Sequence, residues 1–335
     1  MQAIRVHEPG PANVLKWEET VNPAPSAGEV LVKLRASAVN HLDIWMRLGS
    51  VFAPMPIVPG SEGAGTVEAL GEGVTAFRPG DEVVVTPWIF PDRPYTGDPP
   101  NLSVRIFGVA RDGCYAEYVS VPAHVLLHKP SRLSFEEAAS IPLTTTTVYR
   151  MAITRGNLQP GESVLVVGAT GGIGVAAVQL AHAMGARVFA TTRDTRKGTR
   201  LYDLGAEAVI DSDTDFSAEV RRLTGERGVE LVLETVGKAT WVRSIACLRR
   251  GGRVAFCGST SGAEVHVNLQ EIYRKEISAF GSYGGTPEEI RRVFRLVEEG
   301  LVRPVIDSVM PLKDAPLAHE RMEKSDHFGK IILAP

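Results

Sequence analysis

Four glycines, Gly168, Gly171, Gly172 and Gly174, fall in a seven-residue stretch with Ala169, Thr170 and Ile173 between them. The run before them, Val164-Leu165-Val166-Val167, has the composition of a strand, and Val175-Ala176-Ala177-Val178-Gln179-Leu180-Ala181 after them has helical periodicity. Glycine lets a backbone turn tightly and come close to an anion, and the helix that follows presents free N–H groups and a positive dipole end. That chemistry is the binding of a dinucleotide pyrophosphate; a tight turn serving packing alone is the structural alternative. One helix later a second strand, 186–192, ends at Thr192-Arg193-Asp194, with Lys197 just beyond. An acidic residue there would bind a ribose 2′-hydroxyl, whereas bases suit a 2′-phosphate. Asp194 stands close enough to pair with either base, and a solvated basic turn is the plain alternative.

These residues need elements to position them. Residues 1–125 alternate short β-rich runs (29–34, 65–70, 81–86, 115–120) with glycine and proline punctuation, the pattern of a small barrel or sandwich. Ser134 and Glu137 form a capping box opening a helix through Ala138 to Ile141, and Thr286 and Glu289 form another. From 126 onward strands at 163–168, 186–192, 208–210, 229–234, 252–258 and 277–281 alternate with helical patterns, which predicts an α/β fold with a doubly wound parallel sheet. Gly258, Ser259 and Thr260 end the fifth of these strands and Gly281 and Ser282 the sixth, where a parallel sheet binds its ligands. The tail turns β-like again at 330–333 and is expected to rejoin the first domain. The expected division is 1–125 plus 301–335 against a dinucleotide-binding domain at 126–300. A long irregular stretch, 87–113, carries Trp88 and Tyr95.

A chain of 335 residues suits two domains. Its 44% hydrophobic and 22% charged content is that of a globular protein. A net charge of −3 argues against a nucleic-acid or membrane partner recognised electrostatically. No apolar run approaches ~20 residues. Residues 1–6 read as a first strand and not as a signal peptide. Cys114, Cys247 and Cys257 are odd in number and far apart, which fits a reducing cytoplasm.

Residues 38–49 (AVNHLDIWMRLG), 59–65 (PGSEGAG), 113–118 (GCYAEY), 142–149 (PLTTTTVY), the glycine turn and Phe328-Gly329-Lys330 together resemble the medium-chain dehydrogenase/reductase superfamily, in its zinc-independent, quinone-oxidoreductase-like branch. The resemblance implies a GroES-like catalytic domain, a Rossmann domain, and NADPH as cofactor. It places Thr147 against the nicotinamide, Thr170, Gly171, Gly172, Ile173 and Gly174 on the pyrophosphate, and Thr192, Arg193 and Lys197 around the 2′-phosphate. It brings Lys330 to the nicotinamide end and implies a homodimer, with 277–281 as the edge for pairing. Thr147 as a helix-lining hydroxyl and Lys330 as a surface lysine stay open beside these roles.

The departures matter as much. Where zinc enzymes of the superfamily carry a cysteine, a histidine and a further cysteine, this chain has Asn40, Ser61 and Leu143, with only the acidic neighbour Glu62 kept. An amide, a hydroxyl and an isobutyl group do not make a zinc site, so no metal is expected. Asn40 becomes the first choice for orienting substrate or cofactor through its amide. Trp45 stands where relatives often have tyrosine and has no acidic O–H. Trp88 and Tyr95 are either an apolar wall for a planar substrate or loop packing. Asp43 and Arg47 read as an ion pair or turn residues, His41 as a satisfied histidine, and Cys114 as a buried small residue. The activity expected is hydride transfer from NADPH to quinones or α,β-unsaturated carbonyl compounds. Alcohol or aldehyde dehydrogenase activity is the enzymatic alternative, and a cofactor-binding protein with little catalysis is the alternative of another class.

Overall fold

The strand Glu29–Ala38 buries Val30, Val32, Leu34, Ala36 and Ala38, the period-two pattern of a strand with one face on a core. It pairs antiparallel with Gly63–Leu70, Tyr118–Pro122 and the C-terminal strand Lys330–Ala334. The sheet built around it runs Ile306–Pro311, Lys330–Ala334, Glu29–Ala38, Gly63–Leu70, Glu82–Val85, Leu126–His128. In register, Ile332 lies opposite Ala38. That pairing carries Lys330, one end of the C-terminal strand, to the residues just after Ala38. The helix His41–Arg47 follows at once, and Asn40 is its N-cap, its backbone N–H donating to the Asp43 carboxylate.

The computed structural model describes residues 1–90 and 105–335. They form two units, Met1–Leu143 with Pro304–Pro335, and Thr144–Arg303. Both breaks lie later than the sequence suggested, because of contacts between residues far apart in the chain. The capping-box helix is Phe135–Ala139, shorter than the run to Ile141, and it packs on Glu29–Ala38 and Gly63–Leu70 of the first unit. At the other break Gln179 clasps Arg303. Its Nε2 donates to the Arg303 carbonyl (3.0 Å), and its Oε1 accepts from the Arg303 amide (2.9 Å). The expected strand at 115–120 is Tyr118–Pro122, because the Tyr115 backbone bonds instead to Ile4 and Pro59.

In the second unit six strands run parallel in the order Ala208–Asp211, Arg187–Thr192, Ser163–Val166, Val229–Glu234, Leu248–Phe256, Ser278–Gly281. The order reverses at Ser163–Val166, the first strand of the unit, which is the doubly wound arrangement. Phe189, Phe216, Val232, Trp241 and Leu248 lie in its core. The helix Gly172–Ala183 starts where the glycine turn ends, and the capping box at Thr286 opens Pro287–Glu298.

Candidate functional site

Lys330 and Glu62 meet in the interior of the first unit, 3% and 0% exposed. Lys330 Nζ donates to Glu62 Oε1 (3.0 Å), Asn40 Oδ1 (2.6 Å) and the Val39 carbonyl (3.0 Å), which uses all three ammonium hydrogens. An ammonium only donates, so Asn40 must turn its oxygen to Lys330. Its Nδ2 then faces Glu62 Oε1 at 2.9 Å. The second amide hydrogen has only long contacts, to Ser61 Oγ and the Ala38 carbonyl at 3.3 Å each. Glu62 Oε2 accepts from the Leu143 backbone N–H (2.6 Å). Lys330 is thus committed within the unit, and the cofactor contact implied for it would require giving up one of these bonds.

A second buried polar group lies behind Asn40. Asp43 Oδ2 accepts from the Asn40 backbone N–H (2.8 Å) and the Tyr115 hydroxyl (3.2 Å), and that hydroxyl lies 3.3 Å from His319 Nε2. Burial pushes the Asp43 carboxyl up to about 7, and pushes the Tyr115 phenol well up. Burial, with Arg47 and His41 nearby, lowers His319 to about 3; burial, His327 and Lys330 lower His41 to about 4. Arg47 is paired with Glu323, not with Asp43 as the sequence spacing suggested. Cys114 is buried with its thiol pushed far up, an inert packing residue. Trp45 shares its helix with His41, their rings 6.1 Å apart. Trp88 is buried, and its strand Trp88–Ile89 pairs with Arg105–Ile106. Tyr95 lies outside the described residues.

The second unit presents the other predicted residues. Gly171 is the N-cap of Gly172–Ala183, with no side chain capping it, so the first-turn N–H groups of Gly172, Ile173 and Gly174 have no helical acceptor. A Cβ on Gly171 would meet nothing nearer than the Gly168 carbonyl at 4.0 Å, so the turn is open. A Cβ on Gly174 would come within 2.5 Å of the Ala169 backbone, so the helix can start this close only with glycine there. Thr170 is half-buried beside it. This cradle fits a pyrophosphate. Thr192 Oγ bonds the Asp194 backbone, and the Asp194 carboxylate caps the helix Thr195–Gly198 through the N–H groups of Arg196 and Lys197 (3.1 and 3.2 Å). Arg193 is exposed and Lys197 half-buried beside this cap. Thr147 is buried in Pro142–Tyr149. Ser282 follows Gly281 at the end of the sixth strand, its buried hydroxyl without a partner among the described residues.

Sequence reasoning missed Glu234, at the C-terminal end of its strand. The carboxylate is fully buried and accepts from the N–H groups of Val236 (2.7 Å) and Gly237 (3.0 Å) and the hydroxyls of Thr240 and Ser244. The loop it shapes is tied to the one bearing Gly258, Ser259 and Thr260 through Ser261 N to the Val236 carbonyl (2.9 Å) and Lys238 N to the Gly262 carbonyl (3.0 Å). The signal was a glutamate closing an apolar strand. Tyr115 and His319 were missed for want of any local signal.

An open glycine cradle on a doubly wound sheet in one unit, and a mostly antiparallel sheet with a buried polar site in the other, define a nucleotide-dependent oxidoreductase class. The comparisons agree. Residues 26–131 match the alcohol dehydrogenase GroES-like domain and residues 172–299 the zinc-binding dehydrogenase family. The chain is 31% identical to a quinone oxidoreductase of Homo sapiens, covering 99% of this chain and 97% of that protein. It is also 31% identical to an acryloyl-coenzyme A reductase of Metallosphaera sedula, covering 94% and 95%. A crystal structure of an NAD-dependent alcohol dehydrogenase superposes with a TM-score of 0.96 at 38% identity, covering all of both chains. The chain belongs to the medium-chain dehydrogenase/reductase superfamily, in its quinone-oxidoreductase-like branch. It is an oxidoreductase of that type, with a nicotinamide cofactor.

The zinc in one family's description has no fitting donor set here. Asn40, Ser61 and Leu143 offer no thiolate or imidazole, and Glu62 is already held by an ammonium. Among the described residues no three His, Cys, Asp or Glu side chains gather to hold a metal.

The lowered histidines carry a pH prediction. Unfolded, His319 takes up a proton below its ordinary 6.5, while the folded protein keeps it neutral down to about 3. Its stabilising share is therefore present above pH 6.5 and is lost as the pH falls towards 3. Asp43 acts oppositely: raised to about 7 from 3.8, its share is present below pH 3.8 and lost as the pH rises through 7. In urea unfolding between pH 4 and 6, His319→Gln should flatten the stability–pH slope by about 1.4 kcal/mol per pH unit, one proton's worth. Asp43→Asn should steepen it. Parallel slopes for parent and His319→Gln would mean that the histidine is not held neutral.

Proposed function

We propose that the chain is an NADPH-dependent, zinc-independent reductase of quinones or α,β-unsaturated carbonyl compounds. The observation that carries this reading is the Asn40–Lys330–Glu62 network, built around Asn40, which stands where zinc enzymes of the superfamily carry a ligand cysteine. Without a Lewis acid there, oxidation of a simple alcohol lacks its usual route to an alkoxide. An activated carbonyl needs less help: a hydride acceptor and a hydrogen-bond donor for the developing oxyanion. The cofactor, when bound, supplies the hydride. Asn40 supplies the donor, because its second amide hydrogen has only 3.3 Å contacts and is the one most easily yielded to an acceptor oxygen. Trp45 offers no acidic O–H, so protonation of product is left to water.

Arg193 and Lys197, the two bases that follow the strand ending at Thr192, support NADPH by their charge, while Asp194 between them caps the N–H groups of Arg196 and Lys197 and lies 3.8 Å from the Arg196 guanidinium. A charge-assisted bond contributes ~1.5–3 kcal/mol, so one such bond to a 2′-phosphate gives roughly tenfold preference or more. Homodimerisation is part of the reading. The edge strand Ser278–Gly281 is largely exposed, and the neighbouring helix Leu269–Lys275 has no buried residue, with Leu269 and Tyr273 71% and 61% exposed. A monomer in sedimentation equilibrium would remove this part.

Steady-state assays with a benzoquinone, a cyclic enone and a primary alcohol test the rest. Turnover is expected with the quinone or enone and NADPH, and Asn40→Ala should lower kcat by ~10²-fold or more. Arg193→Ala/Lys197→Ala should erase the preference for NADPH over NADH. Efficient alcohol oxidation with inactive quinone and enone would reverse the reading, and NADPH binding without turnover on any of them would favour a binding protein.

A further inference from the structure

Lys330 is a costly residue to place where it is. Taking an ammonium and a carboxylate out of water costs several kcal/mol for each ion, and only good geometry offsets it. Here the geometry is good: three oxygens, each from a different residue, surround Nζ at 2.6–3.0 Å. Glu62 brings charge, Asn40 an amide oxygen and Val39 a carbonyl. That is an oxygen cage for a cation, and the cation in it is covalently attached to the chain. The cage is assembled from far apart in sequence, with Lys330 brought in by the C-terminal strand.

The cage also fixes a direction. With its oxygen drawn to Lys330, the Asn40 amide has a single orientation, N–H groups towards Glu62 and Ser61. A positive charge on the amide oxygen draws electron density from the nitrogen and strengthens its N–H groups as donors. Remove the charge and Asn40 can turn over and offer a carbonyl, the wrong polarity for an oxyanion. Meanwhile Glu62 would be left buried with an uncompensated charge.

We propose that the Lys330 ammonium is the built-in cation of this site, standing in charge for the metal of the zinc enzymes, and that it acts as a positioning residue by polarising and orienting Asn40. This rests on the reading of Asn40 as oxyanion donor, but one arm of its test does not. Lys330→Ala should lower kcat by about a hundredfold, the scale of a lost oxyanion donor, with the Kd for NADPH unchanged. Ethylammonium chloride, compared with sodium chloride at equal ionic strength, should restore part of kcat. The second arm is melting, which needs no substrate. Lys330→Ala should melt about 10 °C lower, as expected for breaking a buried pair, and ethylammonium should raise that Tm where sodium does not.

If Lys330→Ala does not fold, the charge-balanced Lys330→Met/Glu62→Gln takes its place, folded but with kcat still low. Parent-like kcat in either variant would overturn the proposal, as would a Tm and a rate that ignore ethylammonium. So would weakened NADPH binding with kcat intact, which would make Lys330 a cofactor contact. If no acceptor is turned over by the parent, the reading of the reaction fails, while ethylammonium-dependent melting still decides whether the cage holds a cation.

Discussion

The buried ion pair of Lys330 and Glu62 constrains most of the first unit. Its groups come from three places in the chain: the first residue of the C-terminal strand, the Val39–Asn40 entry to a short helix, and Glu62 just before Gly63–Leu70. Each must arrive with its backbone set, because a buried charge missing one partner destabilises by about 3–5 kcal/mol. The antiparallel register that puts Ile332 opposite Ala38 is the register that delivers Nζ to Val39 and Asn40. A slip of one residue would turn Lys330 to the other face of the sheet. The pair therefore ties the fold's closing strand to the orientation of the amide.

Electrostatics spreads outward from that pair. Burial above all keeps the two inner histidines neutral, and nearby positive groups add to it, His327 and Lys330 at His41 and Arg47 at His319. Asp43 is drawn both ways, its charge favoured by the Asn40 N–H, Lys330 and Tyr115 and opposed by burial and Glu62. These residues hold the base of the Asn40 helix from behind. In the second unit the same economy of satisfied polar groups appears at Glu234, whose carboxylate organises the loops at the carboxyl ends of two strands.

The sequence made much of the scaffold legible, because scaffolds are written in local patterns. Strand composition before Gly168, the capping boxes at Ser134 and Thr286, and the glycine turn all depend on neighbours within a few residues, and each appears where it was read. Asn40, Ser61 and Leu143, at the positions that the resemblance assigns to zinc ligands, were equally visible. What could not be read was partnership across the chain. Lys330 meets Asn40 over 290 positions, Tyr115 meets His319 over 204, and Arg47 chooses Glu323 over its near neighbour Asp43. No periodicity encodes such pairs; they follow from sheet register. The unit boundaries shifted for the same reason, since the Gln179–Arg303 clasp and the packing of Phe135–Ala139 are tertiary.

The claim at the centre of this account is that an ammonium, not a metal ion, supplies the positive charge beside Asn40. Metal analysis of the purified, catalytically active protein, before and after prolonged chelation, tests it most directly. The account predicts no stoichiometric zinc and turnover untouched by the chelator. About one tightly held zinc per chain, lost together with activity, would contradict it.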